Sequence, residues 1–181
     1  ANRADRLSKA LYNAGVRQGD HIAVMLPNTH YMLECFYGIA QLGAVMVPLN
    51  YRISAEDMEY IINHSDAKML IVDEEFTPPI EKIVDRLNLE QIIVVAVDGF
   101  QTNLNAVYYE DFIKHVPNVE LPQIEIDEND LLTINYTSGT TSRPKGVMLT
   151  HRNNYLNAAD FLYHLRVHHD DVYLHTLPLF H

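Results

Sequence analysis

The chain has 181 residues, of which 48% are hydrophobic and 20% are charged, and its formal net charge is −11 at pH 7. The length suits about one domain, and the composition is that of a folded protein rather than of an intrinsically disordered one. The acidic balance offers no broad basic surface, which argues against nucleic acid as a general partner.

Signals for membrane insertion and for disulfide formation are missing from the sequence. The first residues contain no apolar signal region, and no apolar run approaches the roughly 18 residues that a membrane helix needs. The single cysteine, Cys35, lies in the apolar helical pattern MLECFYGIA, where we expect a small buried side chain. A chain with one cysteine forms no internal disulfide, which fits a reducing compartment. We therefore expect a cytoplasmic protein without an integral membrane segment.

Helical and strand patterns alternate through the first hundred residues. Apolar residues at helical spacing predict helices over 4–14 and 31–42, each closed by a glycine. Ser54, with Asp57 three positions later, predicts the N-cap of a third helix. A pair of prolines predicts the first turn of a fourth helix that reaches residue 87. Short apolar runs predict buried strands over 22–26, 45–47, 69–72 and 92–97.

The pattern is weaker in the middle of the chain and then resumes. Residues 109–116 predict one short helix, and an acidic surface connection follows it. Further strands are predicted over 131–136, 146–149 and 172–177. Thr150 is a candidate N-cap for a last helix, which we expect to brace the segment between the first two of these strands. The alternation predicts an α/β fold, with a mostly parallel sheet, flanking helices and right-handed crossovers.

One segment combines many hydroxyl groups with glycine and positive charge. Residues 134–150 read INYTSGTTSRPKGVMLT, in which five hydroxyl side chains surround Gly139 and precede Arg143 and Lys145. Glycine lets the backbone approach a ligand closely, and the hydroxyl groups, backbone N–H groups and lysine suit an anion with many oxygens, such as a polyphosphate. The order differs from the G-x-x-x-x-G-K-[ST] phosphate loop, because Lys145 is followed by Gly146 and no hydroxyl residue comes next. A solvated turn between two strands is the alternative interpretation.

The sequence TSGTTSRPKG at residues 137–146 resembles the phosphate-loop signature of the adenylate-forming enzymes. This superfamily contains acyl-CoA synthetases, the adenylation domains of peptide synthetases, and luciferases. Four flanking segments resemble acyl-CoA synthetases as well: GDHIAVMLPN at 19–28, LGAVMVPLNYR at 42–52, VMLTHRN at 147–153 and TLPLFH at 176–181. Ser142 stands where the signature usually has glycine.

The resemblance implies a fold and a set of binding residues. It implies that residues 1–181 are an incomplete N-terminal part of the large domain of such an enzyme, cut at both ends. It assigns the β- and γ-phosphates of Mg²⁺-bound ATP to loop residues, namely Thr137, Ser138, Gly139, Thr140, Thr141, Ser142 and Lys145. It also places His181 beside the acyl-substrate pocket, with a buried structural histidine as the alternative. No catalytic residue and no metal ligand is expected within the 181 residues.

The resemblance also implies a reaction. The parent enzyme would be an AMP-forming acid–thiol ligase that activates a carboxylic acid, most simply a fatty acid, as an acyl-adenylate and transfers it to coenzyme A. The isolated chain is expected to be inactive, since the adenine-binding segment and the C-terminal lysine-bearing domain would lie beyond it. Two alternatives stay open: an adenylation domain that loads a carrier protein, and a non-catalytic nucleotide-binding domain. A homodimer is the expected assembly if there is one.

The ten histidines also raise a zinc hypothesis. His164 and His168 are four residues apart, a spacing that can place two ligands on one helix face. The helix is expected to end near them and no third ligand is fixed by spacing, so the sequence argues against a metal site there.

Overall fold

The computed structural model describes residues 2–114, 116, 120–137 and 143–180. In this part of the chain, seven strands form one sheet in the order β5-β4-β3-β1-β2-β6-β7. Neighbouring strands are parallel except for β6 and β7, which pair antiparallel at one edge. The strands are β1 (His21–Met25), β2 (Val45–Pro48), β3 (Ala67–Asp73), β4 (Gln91–Val95), β5 (Ala106–Tyr108), β6 (Leu131–Thr137) and β7 (Lys145–Thr150). The mixed, mostly parallel α/β architecture predicted from the sequence is confirmed.

Helices cover both faces of the sheet. They are α1 (Asn2–Asn13), α2 (His30–Ala40), α3 (Ala55–His64), α4 (Thr77–Glu81) and α5 (Tyr109–Lys114). A sixth helix, α6 (His151–Leu165), follows β7 and has no buried residue. Successive side chains of the central strand β1 point to opposite faces: Ile22 packs with α1, α2 and α5, while Ala23 packs with α3 and α4. Because β1 is covered on both faces, its sequence is a continuous apolar run, as parallel strands require.

Several local signals act as predicted. Gly15 and Gly43 follow α1 and α2 with φ values of 99° and 63°, a region that residues with a Cβ rarely adopt. The Ser54 Oγ accepts a hydrogen bond from the Asp57 N–H at 3.1 Å and caps α3. Thr150 caps α6 in a reciprocal capping box with Asn153. Cys35 is fully buried, and burial raises the pKa of its thiol, so it is a core side chain.

The predicted helix through residue 87 is wrong in its length. α4 ends at Glu81, and only a 3₁₀ turn, Val84–Arg86, follows. The Asn63 side chain donates to the Arg86 carbonyl at 2.9 Å and accepts from the Asn88 N–H at 3.1 Å. These two bonds hold residues 86–88, beyond the end of α4, on the way to β4.

Two weaker segments also need correction. The sequence prediction missed β5, a three-residue strand on the open edge of the sheet. The predicted strand over 172–177 does not form among the described residues, and Val172 is 98% exposed. The first turn of α6 is tied to Glu128 and Asp130 at the base of the β6–β7 hairpin. The segment that this helix was expected to brace lies mostly outside the described residues, so that expectation stays a prediction.

None of the described helices combines the length and the apolar character that crossing a membrane requires.

Candidate functional site

Residues 138–144 connect the two strands of an antiparallel hairpin, and we call residues 138–142 the hydroxyl-rich segment. Thr137 is the last residue of β6 and pairs in register with Lys145, the first residue of β7. Both side chains are exposed, so they flank the entrance of the connecting segment on facing strands. Five predicted binding residues lie outside the described residues, as does His181; the five are Ser138, Gly139, Thr140, Thr141 and Ser142.

The first strand of the hairpin ends at the carboxyl edge of the parallel sheet. β6 is parallel to β2, which is parallel to β1, so all three end at the same edge. The chain passes from β1 to β2 on one side and then crosses to β3 on the other side of β1. Such a change of direction opens a crevice at the carboxyl ends of the strands, where α/β proteins bind ligands. Thr137 therefore lies at the edge where a ligand is expected.

The segment that leads to His181 is held at the same edge. The Asn28 side chain, just after β1, donates to the Leu177 carbonyl at 2.7 Å and accepts from the Leu179 N–H at 2.8 Å. We call this pair of bonds the Asn28 clamp. The clamp satisfies two backbone groups, one at the end of the apolar run 172–177 and one just beyond it.

Three aromatic rings, each in contact with the next, lie next to the Asn28 clamp. Phe180 is buried, and its ring meets Tyr51 edge to face with 5.1 Å between ring centroids. Tyr51, which follows β2, stacks on Phe76 at 4.5 Å. The residue before His181 is therefore fixed near the ends of β1 and β2, in the region where the sequence placed the substrate pocket. The position of His181 itself stays a prediction.

Helix α3 contacts both flanks of the hydroxyl-rich segment. The Tyr136 hydroxyl lies 2.7 Å from the His64 Nδ1, and the Arg143 guanidinium lies 5.2 Å from the centroid of the Tyr60 ring. Burial, assisted by Tyr60 and Asp66, raises the pKa of Tyr136 to about 12. The phenol therefore stays protonated at neutral pH and can donate a hydrogen bond to the His64 Nδ1.

Sequence reasoning missed the contributions of Asn28, Tyr51, Tyr60 and His64. Asn28 and Tyr51 belong to segments that the family resemblance had singled out without assigning them a role. Tyr60 and His64 are four residues apart on α3, a spacing that places two side chains on one helix face. The spacing indicated that Tyr60 and His64 share a helix face, but it could not identify their partners, Tyr136 and Arg143, which lie far away along the chain.

The histidines near the end of α6 do not assemble a metal site. His164 lies 3.2 Å from Asp160 on an exposed helix face, and α6 ends at Leu165, before His168. Across the ranges that the structure describes, no group of three potential metal ligands is found.

With this geometry in place, the chain was compared with known proteins. The family model described as "AMP-binding enzyme" matches residues 1–181. The chain belongs to the AMP-binding enzyme family. The resemblance inferred from the sequence is thereby confirmed.

Curated relatives of this AMP-binding enzyme chain are CoA ligases. 4-Hydroxybutyrate–CoA ligase 2 of Metallosphaera sedula is 37% identical over 180 residues, covering 96% of this chain and 33% of the ligase. Butyrate–CoA ligase AAE11 of Arabidopsis thaliana, which is described as peroxisomal, is 31% identical over 195 residues, covering 99% of this chain and 34% of the ligase. The chain thus spans about a third of the length of these relatives.

A solved structure shows the same fold. The anthranilate CoA ligase AuaEII in complex with anthranoyl-AMP superposes with a TM-score of 0.78 at 33% identity, covering 87% of this chain and 30% of that one. The AMP-binding enzyme fold is therefore common to the chain and to a CoA ligase that was solved with an acyl-adenylate.

Proposed function

We propose that the chain is the nucleotide-phosphate-binding part of an AMP-forming acyl-CoA synthetase. One observation carries the proposal: the β6–β7 hairpin sets Thr137 opposite Lys145 at the carboxyl edge of the sheet, on either side of the hydroxyl-rich segment. The relatives named above are CoA ligases, which favours coenzyme A over a carrier protein as the acyl acceptor. In this proposal the chain is a part of the N-terminal AMP-binding domain of a longer enzyme.

The charges of the described residues fit the phosphate end of ATP. Lys145 is exposed, and no carboxylate in the described ranges lies within ion-pair distance of it. An ammonium group with no counterion among the described residues is available to an anionic ligand, which the net charge of −11 would otherwise repel. Thr137 adds a hydroxyl donor on the facing strand. The same assignment extends as a proposal to Ser138, Gly139, Thr140, Thr141 and Ser142.

The proposed chemistry has two half-reactions. A carboxylate attacks the α-phosphorus of ATP, the bond to pyrophosphate breaks, and an acyl-adenylate forms. The thiol of coenzyme A then attacks the acyl carbon, loses its proton and releases AMP. Lys145 and the hydroxyl groups would hold the β- and γ-phosphates as charge develops on the leaving pyrophosphate, which lowers the barrier. Mg²⁺ bound with ATP would neutralise further phosphate charge.

The acid-binding side of the proposal rests on the segment beyond the Asn28 clamp. It brings the residues before His181 to the carboxyl ends of β1 and β2, and its apolar side chains suit a fatty or other small acyl acid. We propose His181 as a substrate-side residue. A cytoplasmic location and a homodimer are proposals that rest on the sequence alone.

Exchange of pyrophosphate into ATP tests the function directly. The full-length protein is assayed with fatty, aryl and amino acids in separate reactions. Exchange that depends on a fatty or small acyl acid, followed by acyl transfer to coenzyme A, supports the proposal. Exchange with amino acids alone favours carrier loading, and no exchange by the folded protein favours a non-catalytic nucleotide-binding domain. Acyl-CoA formation by residues 1–181 alone would contradict the proposed division of the enzyme.

Lys145→Ala tests the loop assignment. Removal of one preorganised positive charge is expected to slow ATP–pyrophosphate exchange by roughly 10- to 1000-fold. Lys114→Ala is the matched control, because Lys114 is an exposed lysine at the end of α5, the helix that follows the strand at the opposite edge of the sheet. Equal rates for the two variants would remove Lys145 from the phosphate site.

A further inference from the structure

Tyr60 and His64 reach both flanks of the hydroxyl-rich segment from a single helix. His64 contacts Tyr136, two residues before the segment's first undescribed residue, and Tyr60 contacts Arg143, the first described residue after it. The two side chains lie one helical turn apart, with 5.0 Å between their ring centroids. Together they contact residues on both sides of the hydroxyl-rich segment.

The helix that carries these side chains is firmly fixed. Met58, Ile61 and Ile62 are buried on its core face, and Ser54 caps its first turn. At its other end, the His21 Nδ1 lies within hydrogen-bond distance of the Ser65 carbonyl. Side chains on such an anchored helix can hold the residues that they contact in fixed positions.

The partners on the hairpin are held in matching positions. The Tyr136 ring lies edge to face with His64 at 5.9 Å and faces Gly146 across the β6–β7 pair. Arg143 has no ion-pair partner in the described ranges, so its contact with the Tyr60 ring is its principal restraint there.

We propose that Tyr60 and His64 are positioning residues for the phosphate-binding hairpin, acting through Arg143 and Tyr136 rather than touching the nucleotide. The proposal rests on the proposed function, since it assumes that the hairpin binds ATP. It predicts that losing either contact weakens the use of ATP while leaving the use of the acid unchanged.

A double-mutant cycle on the full-length protein tests the Tyr60 contact. Tyr60→Leu removes the ring and is expected to raise the KM for ATP in pyrophosphate exchange about two- to fivefold, as for loss of an exposed cation–π contact, with the KM for the acid unchanged. Tyr60→Phe keeps the ring and should restore the KM for ATP. In an Arg143→Met background, Tyr60→Leu should have no further effect. An equal effect in both backgrounds, or equal effects on both substrates, overturns the positioning role.

The second contact is tested in the same manner. His64→Leu and Tyr136→Phe each remove one partner of the hydrogen bond while keeping a side chain of similar size. Each is expected to raise the KM for ATP by about fivefold, and the double variant should be no worse than either single one. Additive losses would show that the two residues act independently and would overturn the assignment of His64.

Hydrogen–deuterium exchange separates failure of this inference from failure of the proposed function. If the unaltered protein shows no pyrophosphate exchange with any acid, the function is wrong, but the contacts can still be measured. The amides of residues 145–147 should then exchange faster in Tyr60→Leu than in Tyr60→Phe, without any nucleotide. Identical exchange in these two variants overturns the positioning role whatever the enzyme does.

Discussion

Gly146, in β7, is closely surrounded and has little space for a larger side chain. A Cβ at this position would lie 2.8 Å from the Cγ2 of Ile134 and 3.1 Å from the Cζ of Tyr136. Both neighbours belong to β6, and Ile134 is buried in the core. The glycine is required by this close approach of the two strands, since its backbone does not adopt a positive φ.

Gly146→Ala is expected to destabilise the hairpin by about 1–3 kcal/mol, the usual cost of overpacking a well-filled site. Urea unfolding followed by amide exchange in β6 and β7 measures the loss. Ile134→Leu removes the Cγ2 that causes the closest clash, so the cost of Gly146→Ala should be smaller in that background. An undiminished cost would show that Tyr136 is the decisive neighbour.

The sequence predicts some site residues because they are adjacent in the chain. Thr137 and Lys145 belong to one short signature, and their strands are joined directly, so pattern alone places them together. Tyr60 and His64 could not be assigned in this way. His64 meets Tyr136 across 72 residues, and this contact depends on the parallel crossovers that set α3 beside β6. Only the assembled sheet shows it.

At the level of elements, one arginine joins three helices. Arg3 on α1 donates through Nε to Glu34 of α2 at 2.6 Å, and through both Nη atoms to Glu110 of α5 at 3.0 and 2.7 Å. The Tyr109 hydroxyl donates to the other oxygen of Glu34 at 2.9 Å. Hydrogen bonding to Arg3 lowers the pKa of Glu110, and the same bonds raise that of Arg3. The network ties the helices of one face of the sheet together.

Glu110→Gln is expected to cost at most about 1 kcal/mol at neutral pH, because the Glu110 side chain is 52% exposed and water screens the ion pair. The pKa of Glu110 is lower in the folded protein than in the unfolded chain. The ionised carboxylate therefore contributes its full stabilisation above the unfolded pKa of about 4.3. This contribution is lost as the pH falls through the lower pKa of the folded protein. Urea titrations over that pH range measure the change. Wild type and variant should converge in acid, whereas the exposed control Glu120→Gln should match wild type throughout.

The elements that sequence reasoning placed correctly are those whose signals are local. The caps of α3 and α6 and the buried runs of β1 to β4 depend on residues a few positions apart. The course of the chain at residues 86–88 and at residues 177–179 depends on distant side chains, Asn63 and Asn28, which bond backbone groups there. Apolar periodicity contains no information about such long-range bonds.

On the scale of the whole molecule, the carboxyl edge of the sheet gathers segments from the beginning and the end of the chain. Asn28 follows β1, and the segment it holds comes after α6. The proposed phosphate-binding hairpin and the proposed acid-side segment thus meet one edge of one sheet. This common edge explains how a single crevice could present the carboxylate and the nucleotide to each other.

Asn28→Asp tests whether the clamp holds this arrangement. The variant keeps an acceptor for the Leu179 N–H but sets a carboxylate oxygen against the Leu177 carbonyl, leaving a pair of facing acceptors. Hydrogen–deuterium exchange of the backbone amides near residue 179 should become about five- to tenfold faster, as for the loss of one good hydrogen bond. Asn105→Asp, in an exposed position near the far edge of the sheet, is the matched control and should leave this exchange unchanged.

The Asn28 clamp also bears on the order in which the chain folds. Its two bonds join residues 149 and 151 positions apart, so the entropy of closing a very long loop opposes them until other contacts have shortened the path. The β1–β2 and β1–β3 pairs are far more local and supply the surface on which the segment docks. The last residues to gain protection during refolding should therefore be those around Leu179, which makes the proposed acid-side segment the final part of this region to be completed.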